Sequence, residues 1–365
     1  MTVSPGILAA HQIDALRAAG AITGAAPFMA GQVQPASLDL RLGDRAWRMR
    51  ASFLPGAGRT VAACVGRLAL HEIDLTRGAV LETGTVYLAQ LQEGFALPPA
   101  IAAAANPKSS TGRIDVFTRV IADGAREFDL VEAGYHGPIF AEISPRTFPV
   151  LVRTGSRLSQ MRFRRGDARL DDAGHFALHA RETLVTSAAP SIAGGVAVSV
   201  DLSGFDGGAV VGYRAKRHTA LIDVDALAAL DADDFWEAIE ARGRDLILDP
   251  GEFYILASKE AVRVPPDHAA EMTPFDPLVG EFRVHYAGFF DPGFGAYEAG
   301  GDGARAVLEV RSHDVPFILE DGQIVGRLVY ERMSERPRML YGEGVGSNYQ
   351  RQGLKLSKHF KPGRL

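Results

Sequence analysis

Cysteine is nearly absent from this 365-residue chain: Cys64 is the only one. A single thiol excludes an intrachain disulfide framework and any Cys-rich zinc site. No apolar run reaches about 18 residues, so no membrane-spanning helix is expected. The opening Met1-Thr2-Val3-Ser4-Pro5-Gly6 has no charged segment followed by an apolar one, so no signal peptide is expected. Basic and acidic blocks are missing too, and the net charge is −5, which gives no support for a nucleic-acid partner. The remainder, 47% hydrophobic and 23% charged, is ordinary for a globular protein. These absences together predict a soluble, cytoplasmic protein without a membrane partner.

What the chain does contain is an internal repeat. Leu81-Glu82-Thr83-Gly84-Thr85-Val86-Tyr87-Leu88 resembles Leu248-Asp249-Pro250-Gly251-Glu252-Phe253-Tyr254-Ile255, an offset of 167 residues. The same offset carries Pro98-Pro99 to Pro265-Pro266, Glu142 to Glu309, Pro149 to Pro316, Gly155 to Gly322 and Phe163 to Tyr330. Upstream, Ser37-Leu38-Asp39-Leu40 is aligned with Ser199-Val200-Asp201-Leu202 at an offset of 162. The organisation predicted is a first domain over 1–165, a linker over 166–189, a second copy over 190–330 and a tail over 331–365.

Within each copy, short alternating apolar runs are separated by Gly, Pro, Asp and Asn. Val86-Tyr87-Leu88-Ala89-Gln90-Leu91 and Ala306-Val307-Leu308-Glu309-Val310 are examples, and they predict the strands of a β-barrel or jelly-roll domain duplicated in tandem. Helix is expected only over 5–19 and 224–242, with a turn at 98–105.

Two constellations carry candidate chemistry. Pro107-Lys108-Ser109-Ser110-Thr111-Gly112-Arg113 sets two hydroxyls between two cations at an expected helical turn, which suits a polyphosphate. Phe290-Asp291-Pro292-Gly293-Phe294-Gly295 is a tight turn leading to a strand in which Glu309 interrupts apolar residues.

At these residues the chain resembles the dCTP deaminases of the dUTPase-like superfamily, in a long tandem-repeat form. Pro35-Ala36-Ser37-Leu38-Asp39-Leu40-Arg41-Leu42-Gly43 looks like their opening strand. Lys108–Arg113 is similar to their phosphate and catalytic motif, with Lys108 for an arginine. His285-Tyr286-Ala287-Gly288-Phe289-Phe290-Asp291-Pro292-Gly293-Phe294 looks like the nucleoside hairpin, with Phe289 for an arginine. Leu308-Glu309 resembles the strand of the catalytic glutamate, Gln160 a glutamine after the last barrel turn, and Tyr341, Tyr349, Gln352 and Gly353 the tail over the triphosphate. Asn348 stands where a lysine is usual, with Lys355 as a possible substitute.

At the 167 offset, Ser109, Ser110 and Arg113 become Asp276, Pro277 and Gly280, and Gln160 becomes Arg327. The second copy has thus lost the phosphate motif. Conversely, the first copy is read as lacking the hairpin, with Asp123-Gly124-Ala125-Arg126 and an extra Glu127-Phe128-Asp129-Leu130 in its place. In the family the site lies between subunits, so complementary loss implies one composite site in which the copies face each other.

The resemblance implies hydrolysis of dCTP to dUTP and ammonia. Glu309 would be the general base and acid, with Arg113 and Ser110 placing the water and stabilising charge. Lys108, Ser109, Tyr341 and Gln352 would hold the triphosphate with Tyr349 in the same tail, Ala287 would read the base and Asp291 bond the sugar, and Gln160 and Val307 would also bind the substrate. Mg²⁺ would arrive on the triphosphate, and no zinc is expected, because the donors of the zinc deaminases are missing. A homo-oligomer is implied as well. A dUMP-forming bifunctional enzyme, a dUTP pyrophosphatase and a non-catalytic nucleotide binder remain alternatives.

Overall fold

The computed structural model describes residues 4–205, 208–241, 243–274, 282–285, 288–342 and 353–362. It is built mainly of antiparallel β-sheet.

In the first copy one sheet runs in the order Leu130–Val131, Ile101–Pro107, Ser159–Arg165, Ser37–Leu40, Val33–Gln34. The other runs Val116–Ala122, His136–Pro145, Val86–Ala96, Leu42–Met49, Ala69–Asp74. Alternation along the strands feeds one apolar cluster from both sheets: Ala103, Met161 and Phe163 from the first, Ala89, Leu91, Ala141 and Ile143 from the second.

The second copy repeats the plan. Val196–Ser199, Ile324–Arg332, His268–Pro274 and Phe289–Phe290 form one sheet. Trp236–Glu240, Val210–Ala215, Tyr254–Val262, Ala304–Ser312 and Phe282–His285 form the other. Their inward residues, among them Leu256, Ala306, Leu308, Val310, Leu328 and Tyr330, make a second cluster.

Strand register refines the repeat. Leu88 pairs with Glu142, and Ile255 with Glu309, which keeps the 167 offset. Leu38 pairs with Met161 whereas Val196 pairs with Leu328, so the opening strands correspond at 158 and not at 162. Asp39 therefore matches Ala197, and Asp201 lies beyond the strand.

The hairpin needs correction as well. Val131 pairs with Ala103 as Phe290 pairs with Ala270. Leu97 N–H then donates to the Tyr135 carbonyl as Val264 N–H does to that of Phe294, each at about 2.8–2.9 Å. The first copy keeps the hairpin backbone as Leu130-Val131-Glu132-Ala133-Gly134-Tyr135, with an exposed Glu132 in place of Asp291. The 276–280 segment, where the second copy's phosphate motif was sought, lies outside the described residues.

Three helical expectations change. Ala10–Ala18 is helical within 5–19, but 224–242 holds only one turn, Ala232–Phe235, before the strand Trp236–Glu240. Phe235 and Trp236 are buried side by side against Phe148 and Phe360, and this packing overrides the helix propensity of the Ala-rich run. The strand Ile101–Pro107 occupies much of the expected turn at 98–105. The span read as a linker contains a helix, Asp172–Glu182, capped by Asp171, which bonds Gly174 N–H at 2.8 Å.

Candidate active site

The phosphate motif is shaped by its backbone. Lys108 is extended after the strand Ile101–Pro107, and one helical turn, Ser109–Gly112, follows. Arg113 N–H closes it on the Ser109 carbonyl at 3.0 Å. The turn carries Ser110 and Arg113 inward, to 6% and 3% exposure, and leaves Lys108 and Ser109 half-buried.

Cations gather around it. Lys108 ion-pairs with Asp39, and Arg157 reaches the other oxygen of that carboxylate at 3.3 Å. Lys358 from the tail is lowered from the ordinary lysine range by burial and by the like charges of Lys108 and Arg157. Lys355 is lowered by burial and by Arg113. Crowded, partly desolvated cations of this kind are stabilised when an anion arrives. Gln160 sits beside Asp39 on the next strand, its Nε2 3.4 Å from the Pro107 carbonyl.

The second copy meets this motif through the strand Ala304–Ser312. Its even-numbered residues Ala306, Leu308 and Val310 face their own core. The odd-numbered residues face the first copy. Val307, 7% exposed, joins the first copy's apolar cluster. Glu309 Oε1 lies 3.8 Å from Arg113 Nε. Arg311 donates to the Asp115 carboxylate and, at 2.7 Å, to Thr147 Oγ1. Catalytic candidates from the two copies thus meet within one chain.

Burial dominates the electrostatics of Glu309. It is 5% exposed, and desolvation pushes its carboxyl up to about 8. The Arg113 cation opposes that shift, and the nearby Asp115 carboxylate adds to it.

The hairpin is held by a residue that sequence reasoning passed over. Arg162, 2% exposed on the strand Ser159–Arg165, donates to Asp291 Oδ1 at 3.2 Å and to the Phe290 carbonyl at 3.3 Å. Its guanidinium lies 4.0 Å above the Phe289 ring. Asp291 is buried and its carboxyl is raised by desolvation, against the pull of Arg162. Phe290 and Phe294 make an edge contact at 5.0 Å, and Tyr341 packs on Phe294 at 5.6 Å. Gly293 has φ +96, and a Cβ there would stand 2.9 Å from Leu340 Cβ. Only glycine lets the tail begin this close to the hairpin. Ala287, Tyr349, Gln352 and Asn348 lie outside the described residues.

Arg157, Arg162 and Lys358 were all missed as site residues. The signal for Arg162 was its place two residues from Gln160, on the face of the strand opposite the buried Met161 and Phe163. Cys64 is buried on the helix Val61–Leu68, and among the described residues no three His, Cys, Asp or Glu cluster as metal donors.

Comparison with known proteins shows the family. Residues 4–167 match the 2'-deoxycytidine 5'-triphosphate deaminase N-terminal domain, and residues 171–360 the C-terminal domain of the same family. A protein named dCTP deaminase from Halorubrum lacusprofundi is 34% identical over 135 residues, 36% of this chain and 63% of that protein. One named dCTP deaminase, dUMP-forming, from Beutenbergia cavernae is 31% identical over 151 residues, 39% of this chain and 74% of that protein. The chain thus spans less than two thirds of the first relative's length. The crystal structure of 2'-deoxycytidine 5'-triphosphate deaminase from Agrobacterium tumefaciens is 62% identical and superposes with a TM-score of 0.89, over 94% of this chain and 99% of that one. The chain belongs to the dCTP deaminase family, in a form with duplicated domains.

Proposed function

We propose that this protein hydrolyses dCTP to dUTP and ammonia at one site per chain, built from the phosphate motif of the first copy and the hairpin and glutamate strand of the second. The observation that carries this reading is the buried approach of Glu309 to Arg113 at 3.8 Å. A carboxyl with proton affinity near neutrality can take a proton from water and return it to the departing amine. Water adds to C4 of cytosine, the C4–N bond breaks, and ammonia leaves. Arg113, with Ser110 beside it, stabilises the negative charge that develops during addition.

The reading is zinc-independent, with Glu309 activating the water that a metal ion activates elsewhere. Magnesium enters as part of the substrate. The triphosphate side is lined by Lys108, Arg157, Lys355 and Lys358, and the Asp39 carboxylate is already engaged by two of them. The ion's ligands would then be phosphate oxygens and water. Lys108, Ser109, Gln160, Tyr341, Tyr349 and Gln352 are assigned to the phosphates, and Ala287, Val307 and Asp291 to the nucleoside. A homo-oligomer is part of the proposal. Its support is Ile247 and Ile318, cross-strand partners that are 56% and 57% exposed. A cytoplasmic location follows from the nucleotide substrate.

The test is incubation with dCTP and Mg²⁺, with and without a zinc chelator, with ammonia and nucleotide products measured and Glu309→Gln in parallel. Ammonia with dUTP, insensitive to chelation and lost in the variant, is the expected result. Ammonia with dUMP would add a second hydrolysis. Pyrophosphate from dUTP without ammonia would overturn the role of Glu309.

A further inference from the structure

Arg162 is a charge buried at the junction of the two copies. It issues from the first copy, yet among the described residues its side-chain hydrogen-bond partners all belong to the second. Nη1 donates to the Ala270 carbonyl at 3.1 Å and to Glu331 at 3.4 Å. Nη2 donates to the Phe290 carbonyl at 3.3 Å and to Asp291 Oδ1 at 3.2 Å. Ala270 and Phe290 are direct cross-strand partners. The guanidinium therefore grips both strands at the base of the hairpin while its face rests on Phe289. Only a planar fork with several fixed donors can serve these groups together; a lysine ammonium cannot.

The consequence falls on Asp291. One carboxylate oxygen is fixed by Arg162, and the carboxylate stands in the field of Lys108 from the phosphate motif and of Asp39 from the opening strand. The second oxygen is then aimed by the ion pair and not by the mobility of a turn. A deoxynucleoside 5′-triphosphate offers one free sugar hydroxyl, at C3′, and a carboxylate oxygen is its natural acceptor.

We propose that Arg162 is a positioning residue for sugar recognition, holding the Asp291 carboxylate so that its second oxygen accepts a hydrogen bond from the 3′-hydroxyl of the nucleotide. This rests on the deaminase reading and names the device by which that site selects its sugar. Arg162 does not touch the substrate. Its effect is transmitted through Asp291 and is confined to substrates that carry the hydroxyl.

The experiment compares kcat/KM for dCTP and for 2′,3′-dideoxy-CTP in the wild type, Asp291→Asn, Arg162→Met and Arg162→Lys, each checked by thermal melting. A hydrogen bond to a charged group corresponds to about 10–100-fold in binding. The wild type should prefer dCTP by that order. Arg162→Met and Asp291→Asn should both bring the ratio close to one, chiefly by lowering the value for dCTP. Arg162→Lys should retain part of the preference. If Arg162→Met lowers both substrates alike and keeps the ratio, Arg162 is mere support and the proposal fails. If Arg162→Met does not fold, Arg162→Lys decides: a preference cut at least about threefold sustains the proposal, and an unchanged one ends it. Should the wild type release no ammonia, the deaminase reading fails on its own. The same ratio is then read from dissociation constants of the two nucleotides, with the same criteria for Arg162.

Discussion

Arg119 Nε donates to the Glu142 carboxylate at 3.2 Å, across a ladder position that in the second copy sets His285 opposite Glu309. The two glutamates occupy equivalent strands and differ in their company. Arg119 also bonds Ser52 and lies 3.5 Å over the Phe128 ring, and Phe140, two residues from Glu142, packs with Val61 of the helix Val61–Leu68. The first copy has filled and neutralised the face that the second copy presents to Arg113.

The first prediction follows from that contrast. Glu142→Gln should leave dCTP turnover within about twofold of wild type. It should cost roughly 1–3 kcal/mol of stability, because Arg119 loses its buried partner. Denaturant melts and an ammonia assay on one preparation check both. A large loss of turnover without loss of stability would mean that Glu142 has a role in catalysis.

Glu309→Gln should do the reverse. Removing the proposed base should lower kcat by about 10²–10⁴-fold. The folded protein holds the Glu309 proton up to about pH 8, whereas an unfolded glutamate releases it near 4.5. Between those values the folded state binds more protons, so the stability linked to this group is full below about pH 4.5 and is lost as pH rises towards 8. The variant should therefore melt higher than wild type by roughly 1–3 kcal/mol at pH 8, with the gain shrinking at pH 5. An equal effect at both pH values would contradict the buried, protonated carboxyl.

The same group, as the proposed base, should set the pH profile of the reaction. If the ionised Glu309 is the base in the free enzyme, its reactive fraction increases about tenfold per unit below the group's midpoint. Log kcat/KM should then climb with slope near one from pH 6 and level off around pH 8. A profile that is flat or falling over that interval removes Glu309 from the role of base.

How much of this was legible beforehand depended on length changes. Glu309 could be found because strand and repeat both marked it. The first copy's hairpin could not, because a constant offset concealed two opposite insertions. Between Arg119 and Val131 the first copy is longer, and the offset drops from 166 at His285 to 159 at Phe290. The stretch after Phe294 in the second copy restores it to 167 at Glu309. The Ala-rich run before Phe235 misled for a different reason. Local propensity favours helix there, but burial of Phe235 and Trp236 in the junction between copies decides the outcome. Arg162 stood two residues from Gln160, but its partners lie more than 100 residues away, so its place could be read and its bonds could not.

The copies are also joined by Arg311 and Asp115, whose carboxylate is fully buried and bonded by Thr147 at 2.6 Å. Asp115 follows Arg113 by two residues, and Arg311 follows Glu309 by two. The pair therefore sets the spacing of Arg113 and Glu309, the proposed catalytic couple. Arg311→Met should strand the Asp115 charge, cost about 3 kcal/mol, and lower kcat by an order of magnitude or more through misplacement of Glu309. Asp115→Asn combined with Arg311→Met should recover stability but not turnover, since no uncompensated charge remains while the spacing is still unfixed. Recovery of both would show that the pair serves folding alone.

The tail supplies the last prediction. Phe360 inserts its ring between Phe235 and Trp236, at 5.3 and 6.0 Å, and its neighbour His359 bonds the Val224 carbonyl through Nε2 at 3.0 Å. A carbonyl only accepts, so Nε2 carries the proton. Burial lowers His359 to about 4, so near neutrality Nδ1 is an acceptor facing Ser357 Oγ at 2.9 Å. From this anchor the chain runs back to Lys355, whose carbonyl accepts from Arg113 Nη1 at 3.0 Å, and to Ser357, 2.8 Å from the Ser110 carbonyl. The anchor thus fixes the backbone that braces Arg113 and Ser110 and brings Lys355 and Lys358 to the phosphate side. Phe360→Ala should free the tail without unfolding the sheets, because the ring lies outside the strands of both copies. KM for dCTP should increase about tenfold, with kcat changed less, since phosphate contacts weaken in ground and transition states alike. Global stability should fall by less than the roughly 3–5 kcal/mol of a core phenylalanine. If kcat falls as far as kcat/KM while KM holds, the tail acts in the chemical step through Arg113 and not in holding the triphosphate.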